Sequence, residues 1–220
     1  MAEPIEVILW DCDGVLVDSE PLAARVLAEM LTERGAPHTP EDCYARYTGI
    51  SMTSVMAKVN ADCGIILPED FEARIRARDD QVFRHELKAI EGVAETVAAL
   101  PLRHGVASSG SPEKIARSLS LTGLTDLFTP YLYSAAMVEN GKPAPDLFLY
   151  AARRMNVDPT RCLVIEDSLS GIRAGRAAGM RVFGFCGGGH CDADYGRKLR
   201  NTGAQRVFDH MSQLPALMPK

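Results

Sequence analysis

Two carboxylates one residue apart, Asp11 and Asp13, directly follow the apolar run Val7–Trp10. A run of this composition is typical of a buried strand, and open α/β sheets bind their ligands beyond the carboxyl ends of the strands. Like charges this close repel each other, so the pair requires a shared cation or proton. The pattern therefore predicts metal-assisted chemistry in which one carboxylate is the nucleophile.

Further polar side chains follow other apolar runs of the sequence. Together with the first pair they supply four carboxylates, a hydroxyl and an ammonium, which suit a hard divalent cation and a phosphoryl group. Magnesium is the cofactor that we expect, because it takes oxygen ligands and is completed by substrate phosphate oxygens. The further residues are Ser108, Lys142, Glu166 and Asp167.

A phosphate group also has a predicted binding place near Ser108. Ser111 and Pro112 form a typical helix start, and the free backbone N–H groups of such a start attract anions. Gly110 allows close approach of the backbone. We therefore assign phosphate binding to Ser108, Ser109, Gly110 and Lys142.

Each of these residues also has a purely structural interpretation. The first acid pair could cap a loop, Lys142 could be a solvated turn residue before Pro143, and Glu166 with Asp167 could cap a helix. Ser108 alone carries little information. Their joint occurrence at successive strand ends favours a phosphoryl-transfer site.

The elements that must position these residues change in class along the chain. Apolar spacing predicts only helices from residue 20 to 87, and strands then alternate with helices from about residue 93. This alternation indicates an α/β fold with a parallel sheet and helices on both faces. Residues 17–89 are then an α-helical cap inserted into a core formed by 1–16 and 90–220, above the carboxyl ends of the strands. Strands are predicted at 7–10, 104–108, 131–134, 162–165 and 181–185.

Composition limits the possible partners of the chain. It has 220 residues, of which 46% are hydrophobic, and 29 acidic against 24 basic residues give a net charge of -5. This balance provides no basic patch for nucleic acid, and no apolar stretch approaches the roughly 20 residues of a membrane span. We expect a cytoplasmic protein, a monomer or weak homodimer, whose partner is a small phosphorylated metabolite.

The six cysteines are scattered singly, which indicates reduced thiols. Cys186, His190 and Cys191 could form a small metal clip, but no nearby residue supplies the fourth ligand of a tetrahedral zinc site.

Four segments resemble the motifs of the haloacid dehalogenase-like superfamily, in order and over nearly the whole chain. The resemblance implies a Rossmann-like core, a helical cap inserted after the first strand, and magnesium. The four segments are 11–20 (DCDGVLVDSE), 106–109 (VASS), 141–146 (GKPAPD) and 164–171 (VIEDSLSG).

The same resemblance implies a role for each motif residue. Asp11 would attack phosphorus and form an aspartyl-phosphate, while Asp13 would protonate the leaving alcohol and then activate water. Ser108 and Lys142 would stabilise the phosphoryl oxygens. The implied metal ligands are Asp11, the backbone carbonyl of Asp13, Asp167, and Glu166 directly or through water.

Within the superfamily, the chain resembles the β-phosphoglucomutase-like group of mutases and sugar-phosphate phosphatases. Ala23 and Met52 replace a histidine and an arginine of the mutases, which favours a phosphatase of sugar phosphates or of 6-phosphogluconate-like substrates. A phosphomutase is the alternative enzyme. A non-catalytic binding protein is disfavoured, because it would not need Asp13 as a proton carrier.

Substrate choice is assigned to the cap. Arg78 could supply a cation for an anionic sugar acid, although a solvated arginine is the simpler interpretation, and Lys58 is a weaker candidate. The remaining cap candidates are Glu20, Tyr47, Thr48, Gly49, Ile50, Ser51 and Met52.

Overall fold

The computed structural model describes residues 3–47 and 52–219. Over these residues the chain forms six strands and eleven α-helices, which group into two compact units. One unit comprises Met1–Asp18 and Lys88–Lys220, and the other comprises Ser19–Leu87. In chain order the elements are β1 (Val7–Trp10), α1 (Glu20–Thr32), α2 (Pro40–Tyr47), α3 (Met52–Cys63), α4 (Phe71–Glu86), α5 (Val93–Ala99), β2 (Arg103–Ser108), α6 (Pro112–Leu121), α7 (Thr125–Phe128), β3 (Leu132–Ser134), α8 (Asp146–Arg154), β4 (Cys162–Glu166), α9 (Leu169–Ala177), β5 (Arg181–Phe185), α10 (Tyr195–Thr202), β6 (Arg206–Phe208) and α11 (Leu214–Leu217).

The sheet of the first unit is parallel throughout and has the strand order β3-β2-β1-β4-β5-β6. The chain builds outward from β1 on one side and then returns to β1 on the other. Ligands of such sheets bind beside the strand where the order reverses. In register, Trp10 pairs with Ile165 of β4, so the next residues, Asp11 and Glu166, lie at the same level.

The core of the first unit covers both faces of this sheet. Val7 and Leu9 of β1 face a cluster that includes helices α8, α9 and α10. Trp10 points to the opposite face because side chains alternate along a strand, and its ring packs edge-on against Phe128 of α7. All four residues of β1 are fully buried, as expected for a central parallel strand.

The second unit is helical and has its own core. Helix α1 packs against α2 and α4. The buried side chains are apolar residues spaced along one face of each helix. They include Leu31, Val55, Val59, Phe71 and Ile75.

The polypeptide leaves the first unit and re-enters it at one place. Val17 and Ala89 form an antiparallel bridge. The N–H of Asp18 donates to the carbonyl of Lys88 at 3.0 Å, and the N–H of Ile90 donates to the carbonyl of Leu16 at 2.9 Å. The two ends of the inserted segment are therefore joined by backbone hydrogen bonds.

The predicted fold class is confirmed: the sheet is parallel, α/β and Rossmann-like, with helices on both faces. The sequence analysis did not predict α7, α10, β6 or α11, which are short or strongly polar. Helix α4 begins at Phe71 and not at residue 68 as expected. Residues 68–70 lie before its first turn. Within the described residues, no helix is both long and apolar enough to cross a membrane.

The core on the α8 face gives a test of stability. Phe148 is fully buried, whereas its neighbour Leu149 is 38% exposed. We expect Phe148→Ala to lower the free energy of unfolding by about 3–5 kcal/mol, because truncation leaves a cavity. Chemical denaturation followed by circular dichroism measures this, with Leu149→Ala as the matched control. Equal costs for the two variants would contradict the assignment of this core.

Candidate active site

The carboxyl ends of β1 and β4 bring three acidic residues together. Asp11 follows β1, and its backbone N–H still donates to the carbonyl of Ile165 in β4 at 2.9 Å. Glu166 ends β4, and Asp167 follows it. Carboxylate oxygens of these three residues lie within 4.8 Å of one another, and all three residues are buried. Residues that are more than 150 positions apart in sequence thus form one acidic cluster.

Lys142 is buried in the middle of this cluster, with a side chain only 3% exposed. Its ammonium donates to Asp11 Oδ1 at 2.7 Å, to Glu166 Oε1 at 2.6 Å and to the carbonyl oxygen of Ala107 at 2.9 Å. The ring of Phe148 lies beneath the ammonium, 5.1 Å from its centroid. Three acceptors use all three hydrogens of an ammonium group. Lys142 is therefore an internal ion-pair partner, and the solvated-turn interpretation is wrong.

The pKa values of the cluster reflect the balance between burial and charge. Burial raises the pKa of Asp11 well above its usual range, Lys142 lowers it, and Glu166 and Asp167 raise it further. Burial alone would lower the pKa of Lys142, but the carboxylates of Asp11 and Glu166 outweigh burial and raise it. Lys142 bonds to only two of the three carboxylates, so the cluster still favours further positive charge.

Glu166 is held by more than Lys142. Its Oε2 accepts hydrogen bonds from the N–H and the hydroxyl of Ser168, both at 2.9 Å. Gly171, in the first turn of α9, makes room for the carboxylate, because a Cβ there would overlap it. With both oxygens of Glu166 engaged, the donors best placed for a metal ion are the second oxygens of Asp11 and Asp167. Neither of these has a hydrogen bond among the described residues.

His190 belongs to the cluster, although the sequence analysis did not assign it there. Its Nε2 lies 3.0 Å from Asp167 Oδ2, and both side chains are buried. Burial alone would lower the pKa of His190, but hydrogen bonds to Asp167 and Cys191 raise it to about 10. Burial raises the pKa of Asp167, and the bond from His190 partly offsets this effect. The imidazole thus supplies a second positive charge to the acids.

The loop that carries His190 is held close to β1. The N–H of Gly189 donates to Asp18 Oδ1 at 2.9 Å. A Cβ on Gly188 would lie 2.9 Å from the imidazole and 3.0 Å from the carbonyl oxygen of Gly14. The glycines before His190 were the available sequence signal, since they indicate close backbone packing. Among the described residues, Asp11, Glu166 and Asp167 form the group of side chains that could hold a metal ion.

The predicted phosphate-binding segment lies at the end of β2. Ser108 is buried, and its hydroxyl oxygen accepts from the N–H of Gly110 at 3.0 Å, which directs its own hydrogen elsewhere. The carbonyl of Gly110 accepts from the hydroxyl of Ser134 at 2.6 Å. Ser109 is exposed. Ser111 caps α6 as predicted, with its hydroxyl accepting from the N–H of Lys114 at 3.3 Å.

Asp13 does not join the three-carboxylate cluster through its side chain. Its Oδ2 accepts from the ammonium of Lys114, in the first turn of α6, at 2.8 Å. The Asp13 side chain is 16% exposed and that of Lys114 is 38% exposed. The sequence analysis did not identify Lys114, because a lysine near a helix start has no distinctive spacing.

The candidates in the helical unit have contacts of their own. Tyr47 is buried, and its hydroxyl bonds to His38 Nε2 at 2.8 Å. Arg78 lies 3.7 Å from Glu29 and is half exposed. Met52 is half-buried against the core of that unit. Glu20 begins α1, and Thr48, Gly49, Ile50 and Ser51 lie outside the described residues. The assignment of these residues to substrate choice stays a prediction.

This fold and this arrangement of acids define a known class of hydrolases. A model of the haloacid dehalogenase-like hydrolase family matches residues 5–179. The chain belongs to this family.

Individual relatives are similar over almost the full length. The chain is 33% identical over 214 residues to a 6-phosphogluconate phosphatase of Escherichia coli, covering 97% of this chain and 94% of the relative. A crystal structure of a haloacid dehalogenase family hydrolase from Deinococcus radiodurans, with bound phosphate and sodium, is 34% identical with a TM-score of 0.84 and coverages of 97% and 95%. A putative β-phosphoglucomutase from Thermotoga maritima is 27% identical, with a TM-score of 0.80 and coverages of 97% and 98%.

The space left by Gly171 gives a test of the acidic cluster. Gly171→Ala places a methyl group where the Glu166 carboxylate lies, so that carboxylate must leave Lys142 and Ser168. We expect the affinity for Mg²⁺ to fall by about 10- to 100-fold, as for other residues that support metal ligands. Isothermal titration calorimetry measures it.

Gly141→Ala is the matched control. A Cβ on Gly141 would lie 3.6 Å from Ala135, an ordinary contact, so this variant should bind Mg²⁺ like the unaltered protein. Equal affinities for the two variants would show that the position of Glu166 does not support metal binding.

Proposed function

We propose that the protein is a magnesium-dependent phosphatase of small phosphorylated metabolites that acts through an aspartyl-phosphate on Asp11. The observation that carries this proposal is the buried contact of Asp11 with Lys142, beside Glu166 and Asp167. Such a set provides a nucleophile, a fixed cation and oxygen ligands for a metal at one sheet edge.

Asp11 is the proposed nucleophile. One of its carboxylate oxygens forms a bond to phosphorus while the bond from phosphorus to the leaving oxygen of the ester breaks. Lys142 orients the nucleophile, because its hydrogen bond to Oδ1 fixes the orientation of the Asp11 carboxylate. In this arrangement its three hydrogens contact protein oxygens, so Lys142 reaches a phosphoryl oxygen only by exchanging one of them.

Asp13 is the proposed proton carrier. It gives a proton to the leaving alkoxide, and it then takes a proton from the water that attacks phosphorus. The bond between phosphorus and Asp11 breaks in this second step, which releases inorganic phosphate and restores the Asp11 carboxylate and the protonated carboxyl of Asp13. The partial exposure of Asp13 is consistent with this role, since it must exchange protons with an alcohol and with water.

The acidic cluster fits the cofactor that we propose. Carboxylate oxygens are the side-chain ligands that Mg²⁺ takes, and those of Asp11 and Asp167 would hold it, with the carbonyl of Asp13 and with Glu166 directly or through water. When bound, the ion supplies positive charge to the phosphoryl oxygens. Ser108, and the backbone of Ser109 and Gly110, are proposed to contact the same oxygens.

The relatives support a proposal for the substrate class. The E. coli relative is named for 6-phosphogluconate, and the D. radiodurans structure holds phosphate. Segments such as residues 86–92 and 183–186 also look like those of 6-phosphogluconate phosphatase. We therefore propose sugar phosphates, or sugar-acid phosphates such as 6-phosphogluconate, as substrates. Substrate selection by residues 17–89 is part of this proposal.

A phosphomutase is the second candidate function, and the similarity to the putative β-phosphoglucomutase favours it. Ala23 and Met52, where mutases carry histidine and arginine, argue against it. Interconversion of sugar phosphates that requires an added sugar bisphosphate would identify a mutase, whereas a phosphatase releases phosphate without one.

Asp11→Asn tests the nucleophile. The substitution keeps the shape of the side chain but removes its charge, so we expect less than about a hundredth of the phosphatase rate, a loss of several kcal/mol of transition-state stabilisation. Phosphate release in Mg²⁺ and in EDTA gives the rates, and acid quenching of the unaltered protein with labelled substrate should trap phosphoprotein. The exposed aspartate variant Asp194→Asn is the control. A larger residual rate would remove Asp11 from the mechanism.

Asp13→Ala tests the proton carrier. Nitrophenolate leaves without much protonation, whereas a sugar alkoxide needs a proton. We expect the variant to lose at least about tenfold more rate on a sugar phosphate than on p-nitrophenyl phosphate, measured as kcat for each ester. If both rates fall equally, Asp13 does not protonate the leaving group.

A further inference from the structure

Lys114 is a cation for which the proposed phosphoryl chemistry has no use. Its ammonium lies 2.8 Å from Asp13 Oδ2 and its side chain is 38% exposed. Lys142 differs in both respects, because it is buried and contacts the nucleophile. The two lysines therefore differ in exposure and in the carboxylate that each contacts.

The backbone that carries Lys114 is well fixed. Ser111 accepts the N–H of Lys114, and the next residue, Ile115, is buried. The position of Lys114 at the start of α6 is thus set by the fold, while its partly exposed ammonium can exchange one acceptor for another. An ammonium has three donors, so it can serve Asp13 and a ligand together.

The contact of Lys114 with Asp13 indicates which part of the ester it faces. Under the proposed function, Asp13 reaches the leaving oxygen, so Lys114 lies on the side of the alcohol. Adding the 2.8 Å between Lys114 and Asp13 to a hydrogen bond of about 3 Å places the ammonium within about 6 Å of the leaving oxygen. One further hydrogen bond extends its reach to about 9 Å, which spans a short sugar acid.

Charge gives the reason for a cation at this place. Asp11, Glu166 and Asp167 would repel an alcohol that itself carries a carboxylate. A single ammonium matches a single carboxylate, and such charge-assisted hydrogen bonds are among the stronger polar contacts. A neutral alcohol has no carboxylate and would form no such charge-assisted hydrogen bond with Lys114.

We propose that Lys114 determines specificity by binding a carboxylate on the leaving alcohol, so that the preferred substrates are phosphate esters of hydroxy acids. This inference rests on the proposed phosphatase function. It assigns the recognition of the substrate carboxylate to the sheet-containing unit. The residue considered for this role from the sequence was Arg78, in the helical unit.

A matched pair of esters tests this role. 6-Phosphogluconate and glucitol 6-phosphate differ in a carboxylate against a hydroxymethyl group at the far end of the alcohol. We expect the unaltered protein to have the higher kcat/KM for 6-phosphogluconate. Lys114→Met should lower the ratio of the two kcat/KM values by at least about tenfold, mainly through KM for the acid. Lys114→Arg should retain a ratio above that of Lys114→Met.

Lys198→Met is the control, because Lys198 pairs with the exposed Asp192 at 2.7 Å in a similar ion pair. Its ratio should equal that of the unaltered protein. Lys114→Gln provides a second neutral variant if Lys114→Met does not fold. An unchanged ratio in the neutral variant would overturn the role of Lys114 and leave the phosphatase assignment standing. Absence of phosphate release by the unaltered protein from any ester, p-nitrophenyl phosphate included, would overturn the proposed function instead.

Discussion

Three buried carboxylates can lie together at the carboxyl ends of two strands only where positive charge is buried with them. An uncompensated buried charge costs about 3–5 kcal/mol, so each acid in the cluster needs a partner. Lys142 serves Asp11 and Glu166, and His190 serves Asp167. The acids remain in excess of these two cations. The same electrostatic imbalance that costs stability favours the binding of a further cation.

The register of the parallel sheet brings the members of the acidic cluster together. Because Trp10 of β1 pairs with Ile165 of β4, the residues that follow these two meet without any further structure. Small residues then permit the close approaches: a Cβ on Gly171 would overlap Glu166, and one on Gly14 would overlap Asp167. The strand ends thus determine where the acids lie, and the glycines leave the space that their carboxylates occupy. Hydrogen bonds from the N–H and the hydroxyl of Ser168 to Glu166 complete the support.

The parts of this arrangement that the sequence predicted are those with a local signature. The apolar run before Asp11 and the run before Glu166 identify two buried strands, and the acids mark their ends. Gly, Ser and Pro near residue 111 identify a helix start. The fold class followed from the same alternation of apolar patterns.

The remaining features depend on contacts between distant positions. His190 contacts Asp167 because the loop after β5 folds back toward the acidic cluster. No periodicity in the sequence indicates this course of the loop. Lys114 meets Asp13 across about a hundred residues, and a lysine in a first helical turn has many equivalent surface positions elsewhere. Strand β6 was missed because it has three residues, of which Arg206 is exposed. Tyr47 belongs to the core of its unit, and its assignment to substrate choice stays a prediction.

The hydrogen-bonded crossing of residues 16–18 with residues 88–90 has an evolutionary consequence. A segment whose two ends already meet closes no large loop in the host, so its length and sequence can change at little entropic cost to the sheet. Lengthening, shortening or replacing the inserted helices leaves the strand order and the register of β1 and β4 intact. Such a junction allows one chemical centre to be recombined with many inserted segments, each of which folds around a core of its own.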